Sequence, residues 1–175
     1  MTQPTAHSDQ LVPFRGAQPS DMAPDLVIPD ILPEDERVWV PLGDGVWSRP
    51  LQLNVTAGQY IHVLRVTRSG IVQRHRHAGP VQAYTLKGRW HYLEHDWQAL
   101  EGTYVFEPPG ETHTLVVPDG CDEMITVFHV TGALIYVDPD GQAIGYDDVF
   151  TRIGLARAHY AACGLGETFV DQFIR

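Results

Sequence analysis

The stretch Gly102-Thr103-Tyr104-Val105-Phe106-Glu107-Pro108-Pro109-Gly110-Glu111-Thr112-His113 reads as a short strand of β-formers that stops at a proline-glycine turn and re-emerges carrying a histidine. Working outward from it, Asp25 to Asp138 holds a row of short runs rich in Val, Ile, Leu, Thr, Tyr and Trp. Turn signals such as Lys87-Gly88, Glu101-Gly102 and Pro118-Asp119-Gly120 separate them. Runs at Val46–Val55, Tyr60–Val66, Val81–Leu86, Arg89–Glu94, Thr103–Phe106, Glu123–Val130 and Ala133–Val137 have strand length. Antiparallel hairpins in series with no helix between them predict an all-β barrel or jelly roll. Only the C-terminal part changes period. Val149, Ile153, Ala156 and Tyr160 recur at helical spacing, with Asp147 and Asp148 before them and Gly164 after, which predicts one amphipathic helix covering the β domain.

At 175 residues the chain suits a single domain, expected over 25–175 with its helix, behind a polar, proline-bearing arm at 1–24 that is flexible or wraps a neighbour. Twelve Lys and Arg against 22 Asp and Glu leave a net charge of -10, which repels phosphate backbones and anionic membranes, so neither nucleic acid nor a membrane surface is an expected partner. The longest apolar stretch, Thr126–Val137, is too short and interrupted to span a bilayer. The N-terminus lacks the basic start and apolar core of a signal peptide, and Cys121 and Cys163 read as two reduced thiols; a cytoplasmic location is expected.

Nine histidines raise the question of a metal, and spacing decides it. His75 and His77 in His-Arg-His lie on one face of a strand, because side chains alternate with period two. His113 arrives from the separate strand-turn segment already quoted. For a carboxylate, a three-residue hairpin loop centred on Gly88 would pair Leu86 with Trp90, Tyr84 with Tyr92 and Gln82 with Glu94, turning Glu94 toward the interior. A two-residue loop would turn it away, and spacing alone leaves Glu94 equally readable as an exposed strand residue beside an arginine.

Gly102, Pro108, Gly110 and His113 match the second cupin motif, G-x5-P-x-G-x2-H-x3-N, at the family spacing, with Val117 at the Asn position. Gly70, His75, His77 and Gly88 match the first, G-x5-H-x-H-x3–4-E-x6-G, one residue short on each outer interval and with Gln82 in place of Glu. The chain thus resembles the cupins, which implies a jelly-roll barrel with His75, His77 and His113 holding a divalent transition metal. Gly88-x-Trp90-x-Tyr92-x-Glu94-His95-Asp96-Trp97, followed by Tyr104 to Leu115, resembles the cupin dioxygenases that cleave 2,4'-dihydroxyacetophenone. That resemblance implies Fe(II) held by three histidines and a carboxylate, with Glu94 as the choice and Glu107 as the competitor. Glu107 otherwise holds the turn or orients His113. It further implies an aromatic hydroxymethyl ketone and dioxygen as substrates, 4-hydroxybenzoate and formate as products, and a homodimer or homotetramer.

Trp39, Trp47, Tyr60, Tyr84, Trp90, Tyr92, Phe106 and Phe128 are available to line a slot for the ring, and His62 and His129 to touch its phenol or fill the core. Two other readings stand beside this one. A cupin oxygenase acting on a diketone or a thiol can share the three histidines. A non-enzymatic zinc-binding cupin sensor, as attached to some anti-sigma factors, would be expected to carry an N-terminal helical domain, and the proline-bearing leader shows no helical pattern.

Overall fold

The computed structural model describes residues 11–175; residues 11–24 carry no helix or strand and are exposed, and the first ten residues of the expected 1–24 arm lie outside the described residues. The strands are β1 (Val40–Gly43), β2 (Val46–Asn54), β3 (Gln59–Val66), β4 (Gly70–His77), β5 (Val81–Lys87) and β6 (Arg89–Tyr92), then β7 (Ala99–Leu100), β8 (Tyr104–Glu107), β9 (Thr112–Val117), β10 (Met124–Thr131), β11 (Leu134–Val137) and β12 (Ala143–Asp147). They form two six-stranded antiparallel sheets, ordered β1-β2-β3-β10-β5-β8 and β12-β11-β4-β9-β6-β7. The expected all-β class holds, and helix α1 (Val149–Ala162) follows the last strand.

Between the sheets lies a core that includes Leu53, Trp90, Leu115, Val117, Met124 and Val130, all nearly free of solvent. Burying a large apolar side chain of this kind contributes about 1.5–3 kcal/mol, so the sandwich is held mainly by these inward positions. Period-two alternation is plain in β5, where Val81, Ala83 and Thr85 are buried and Gln82 and Tyr84 are exposed.

The hairpin expected around Gly88 does not form. β5 pairs with β10 and β8, whereas β6 pairs with β7 and β9, so the chain leaves one sheet and enters the other at Gly88. That passage needs glycine twice over: its φ is +73°, and a Cβ there would sit 2.2 Å from the Glu123 carbonyl oxygen. Trp90 and Tyr92 do face inward, as expected, but Gln82 and Tyr84 face out, and Gln82 never meets Glu94. The Trp90 indole instead donates to Thr85 Oγ1 at 2.9 Å, joining the two sheets across the core.

Helix α1 begins at Asp148, whose carboxylate accepts from the Thr151 amide at 2.8 Å while Thr151 Oγ1 accepts from the Asp148 amide at 2.7 Å. Val149, Ile153, Ala156 and Tyr160 are the buried stripe the spacing predicted, and Arg152 is buried with them. Tyr160 Oη donates to the Val38 carbonyl, which fixes the helix to the chain entering β1. Among the described residues no helix is long and apolar enough to cross a membrane.

Candidate metal centre

His75 and His77 end β4 and point the same way, inward, with Arg76 between them facing out. His75 pairs with His113 across the β4–β9 ladder, which brings the third imidazole beside the first. The two Nε2 atoms are 3.2 Å apart. Glu107 ends β8 opposite Val81, the buried neighbour of Gln82, so the carboxylate enters from the next strand over. Its Oε2 lies 3.1 Å from His77 Nε2 and 3.6 Å from His113 Nε2. The Pro108-Pro109-Gly110 turn carries the chain from β8 to β9, and the Gly110 amide donates to the His77 carbonyl at 2.9 Å. The turn thereby locks the two strands that carry Glu107 and His113 to the one that carries His77.

These four buried side chains, His75, His77, Glu107 and His113, place one donor atom each within 4.8 Å of one another. Glu94 is not in this group. Because β6 ends at Tyr92 and the chain turns there, the His95 amide donating back to the Tyr92 carbonyl, Glu94 leaves the inward alternation and sits exposed, where its carboxylate accepts from the Thr114 amide at 2.7 Å and from Thr114 Oγ1 at 2.9 Å. Burial opposes its charge, but these Thr114 donors outweigh that and hold it below the usual carboxylate range. Glu94 therefore braces the strand next to His113.

The donor set fits a metal cation. His77 Nδ1 lies 2.8 Å from the Gly79 carbonyl, an acceptor only, so that nitrogen carries a proton; a second proton on Nε2 is shared with Glu107 Oε2 at 3.1 Å, and a metal ion would take its place. Burial pushes His75 well below its ordinary value and His113 down to about 3, in each case reinforced by neighbouring imidazoles, so both are neutral. At His77 burial acts the same way, but Glu107 and the Gly79 carbonyl outweigh it and raise the value. Once the proton between His77 and Glu107 is given up, imidazole nitrogens and a carboxylate oxygen converge in a dry site, and a divalent ion supplies the positive charge that offsets the carboxylate. Tyr92 supports both partners: its hydroxyl donates to Glu107 Oε1 at 2.8 Å, and its ring stacks on His113 at 3.6 Å between centroids.

The group opens into a cavity of about 400 Å³ that extends from His75, Tyr92 and Glu107 past Leu64 and Phe128. Of the aromatics expected to line it, Tyr92 and Phe128 do so; Tyr84 and Phe106 are exposed, Trp90 fills the core, and Trp39 and Trp47 sandwich the Arg65 guanidinium. His129 faces away and meets Gln59 Oε1 at 3.3 Å. His62 does line the cavity, with Nδ1 2.8 Å from Ser48 Oγ. Three polar lining residues from the C-terminal third are not among the residues expected there: Tyr136, Asp147 and Arg152.

Residues 30–135 match the family model of the ChrR cupin-like domain. The chain belongs to that cupin family. Among solved structures it is similar to an RmlC-like cupin protein from Ralstonia eutropha JMP134, at 28% identity over 72% of this chain and 83% of the other, with a TM-score of 0.68. It shares the fold of an acetylacetone dioxygenase from Acinetobacter johnsonii, at 17% identity over 83% of this chain and 99% of the other, with a TM-score of 0.67. No functionally curated protein matches the chain.

The buried imidazole outside the metal group makes a pH prediction. Burial, helped by the nearby Arg152 charge, holds His62 well below its ordinary 6.5. As the pH falls below 6.5 the unfolded chain takes up a proton there and the folded chain does not. Stability contributed by this group is therefore full above 6.5 and falls at lower pH, by up to about 1.4 kcal/mol per unit. Urea midpoints between pH 7.5 and 5 are expected to drop less steeply in His62→Gln than in the parent protein; equal slopes would show that His62 protonates without unfolding.

Proposed function

We propose that this cupin is an Fe(II)-dependent dioxygenase that cleaves the C–C bond between the carbonyl and hydroxymethyl carbons of an aryl hydroxymethyl ketone. With 2,4'-dihydroxyacetophenone, one O2 is consumed and the products are 4-hydroxybenzoate and formate. The observation that carries the reading is a buried three-histidine, one-carboxylate group opening on a mainly apolar cavity of about 400 Å³, the size range of a small-molecule site.

Held by His75, His77, His113 and Glu107, the iron would supply Lewis acidity toward the adjacent ketone and alcohol oxygens and a redox-active centre for O2. The chain does the rest. Its neutral imidazoles leave the ion's charge intact, and Glu107 offsets part of it while held in place by Tyr92. Leu64, Leu115 and Phe128 offer the aromatic ring apolar walls and displace water from the reacting end. The cupin fold shared with a protein named as an acetylacetone dioxygenase supports the reaction class, and the resemblance over Gly88–Leu115 favours a hydroxyketone over a diketone.

Oxygen uptake is the test. Anaerobically iron-loaded protein is expected to consume O2 and release formate in equal amounts with 2,4'-dihydroxyacetophenone, and to turn over acetylacetone at least tenfold more slowly. Faster turnover of acetylacetone would replace the hydroxyketone by a diketone. The family match favours one second reading, a metal-binding sensor without turnover; zinc retained through purification and no O2 uptake with any hydroxyketone after iron loading would establish it. The assembly we propose is a homodimer or homotetramer, and light scattering at micromolar concentration that gives a monomer mass would contradict it.

A further inference from the structure

At the wall of the metal cavity formed by the C-terminal helix lies a buried cation that the metal group does not use. Arg152 on α1 is 5% exposed and lines the cavity, and its Nη2 is 2.7 Å from Asp147 Oδ2. Its Nε and Nη1 are withdrawn from water and have no hydrogen-bond partner. Asp147 cannot serve them: its Oδ2 also takes the Tyr136 hydroxyl at 2.5 Å, and its Oδ1 faces Thr151 Oγ1 at 3.3 Å. The Tyr60 ring lies 5.4 Å from the guanidinium carbon, and the Tyr60 hydroxyl, buried without a well-formed hydrogen bond, lies against the guanidinium and can take one of its N–H groups. A second, mainly apolar void of about 10 Å³ adjoins these groups and shares Leu42, His62, Arg152 and Leu155 with the main cavity.

Buried polar groups in folded proteins are nearly always satisfied; with the Tyr60 hydroxyl able to take one guanidinium N–H, Arg152 keeps a donor without an acceptor at the wall of the main cavity. A purely hydrocarbon ligand end would leave that donor unpaired.

We propose that Arg152 anchors an acceptor oxygen, phenolic or carboxylic, on the end of the substrate that lies away from the metal. The proposal rests on reading the metal cavity as the substrate site and narrows the substrate class to molecules with two polar ends joined by an apolar ring. A diketone with methyl ends has nothing to offer Arg152. Asp147 holds the guanidinium at the wall of the same cavity that His75 lines.

Two probes that differ only in the distal oxygen, 4'-hydroxyacetophenone and acetophenone, test this by calorimetry on metal-loaded protein under anaerobic conditions. The hydroxylated probe is expected to bind at least tenfold more tightly, about 1.4 kcal/mol. In Arg152→Met the ratio should fall below threefold; should that variant fail to fold, Arg152→Lys keeps the charge, shortens the reach and is expected to reduce the ratio as well. Equal affinities in the parent protein, from a void that holds only an ordered water, would overturn the proposal before any variant is made. So would a preference that survives in both variants. Turnover of 2,4'-dihydroxyacetophenone is scored separately: a preserved tenfold preference without turnover removes the dioxygenase reading and keeps the anchor, and turnover with equal affinities does the reverse.

Discussion

Changing His113 to alanine is expected to strip the metal from the chain and abolish turnover while the far-UV spectrum stays that of a β protein. The imidazole sits at the junction of everything in the site: Nε2 is 3.2 Å from His75 Nε2 and 3.6 Å from Glu107 Oε2, and the ring stacks on Tyr92. Losing a supporting partner of a metal ligand typically costs roughly 10–100-fold in affinity, and losing the ligand itself should exceed that. The fold survives because β9 keeps its ladder with β4 and β6, and the vacated space lies beside a cavity; about 1–3 kcal/mol of stability is the expected loss. Elemental analysis after desalting and thermal melts check the two halves, and His113→Ala protein that keeps a full equivalent of metal would remove His113 from the centre.

The two carboxylates separate in the second experiment. Glu107→Gln keeps the volume and an acceptor for the Tyr92 hydroxyl but removes the charge facing His77 and His113. Metal affinity is expected to fall by roughly 10–100-fold or more. Glu94→Gln is expected to leave metal content unchanged, because that carboxylate serves the Thr114 amide and hydroxyl instead. Weakening a charged acceptor at an exposed position should cost about 1 kcal/mol of stability, read as a lower urea midpoint. The reverse outcome, metal lost in Glu94→Gln and kept in Glu107→Gln, would mean that the site rearranges around Glu94 when it is filled.

Glu94 is set apart from the buried group by the turn after Tyr92, which ends β6 two residues before it, and β5 lies in a different sheet from β6 rather than pairing with it as expected. Val81–Lys87 and Arg89–Tyr92 look like a hairpin because one glycine separates two strand-like runs, and nothing local says that the two runs belong to different sheets. Only the long-range pairing of β5 with β10 and β8 decides that, and a one-residue change of face follows at Gln82. The histidines were legible for the opposite reason. His75 and His77 need only strand periodicity, and His113 needs only the Pro-Pro-Gly turn whose Gly110 amide reaches His77. The α1 stripe was legible too, but Arg152 falls within it, three residues after Val149 and one before Ile153. A charged residue on the apolar face of a short helix is a signal in the sequence itself, and the buried Asp147 two residues before that helix is its partner.

His75, His77, Glu107 and His113 are expected to hold one divalent ion between them. Anaerobic addition of Fe(II), removal of excess by desalting, and elemental analysis of the parent protein measure it directly. One metal per chain is predicted, with X-ray absorption showing nitrogen and oxygen neighbours at about 2.0–2.2 Å, the range for imidazole and carboxylate ligands. Folded protein that retains no iron, and no zinc when zinc is offered instead, would contradict it.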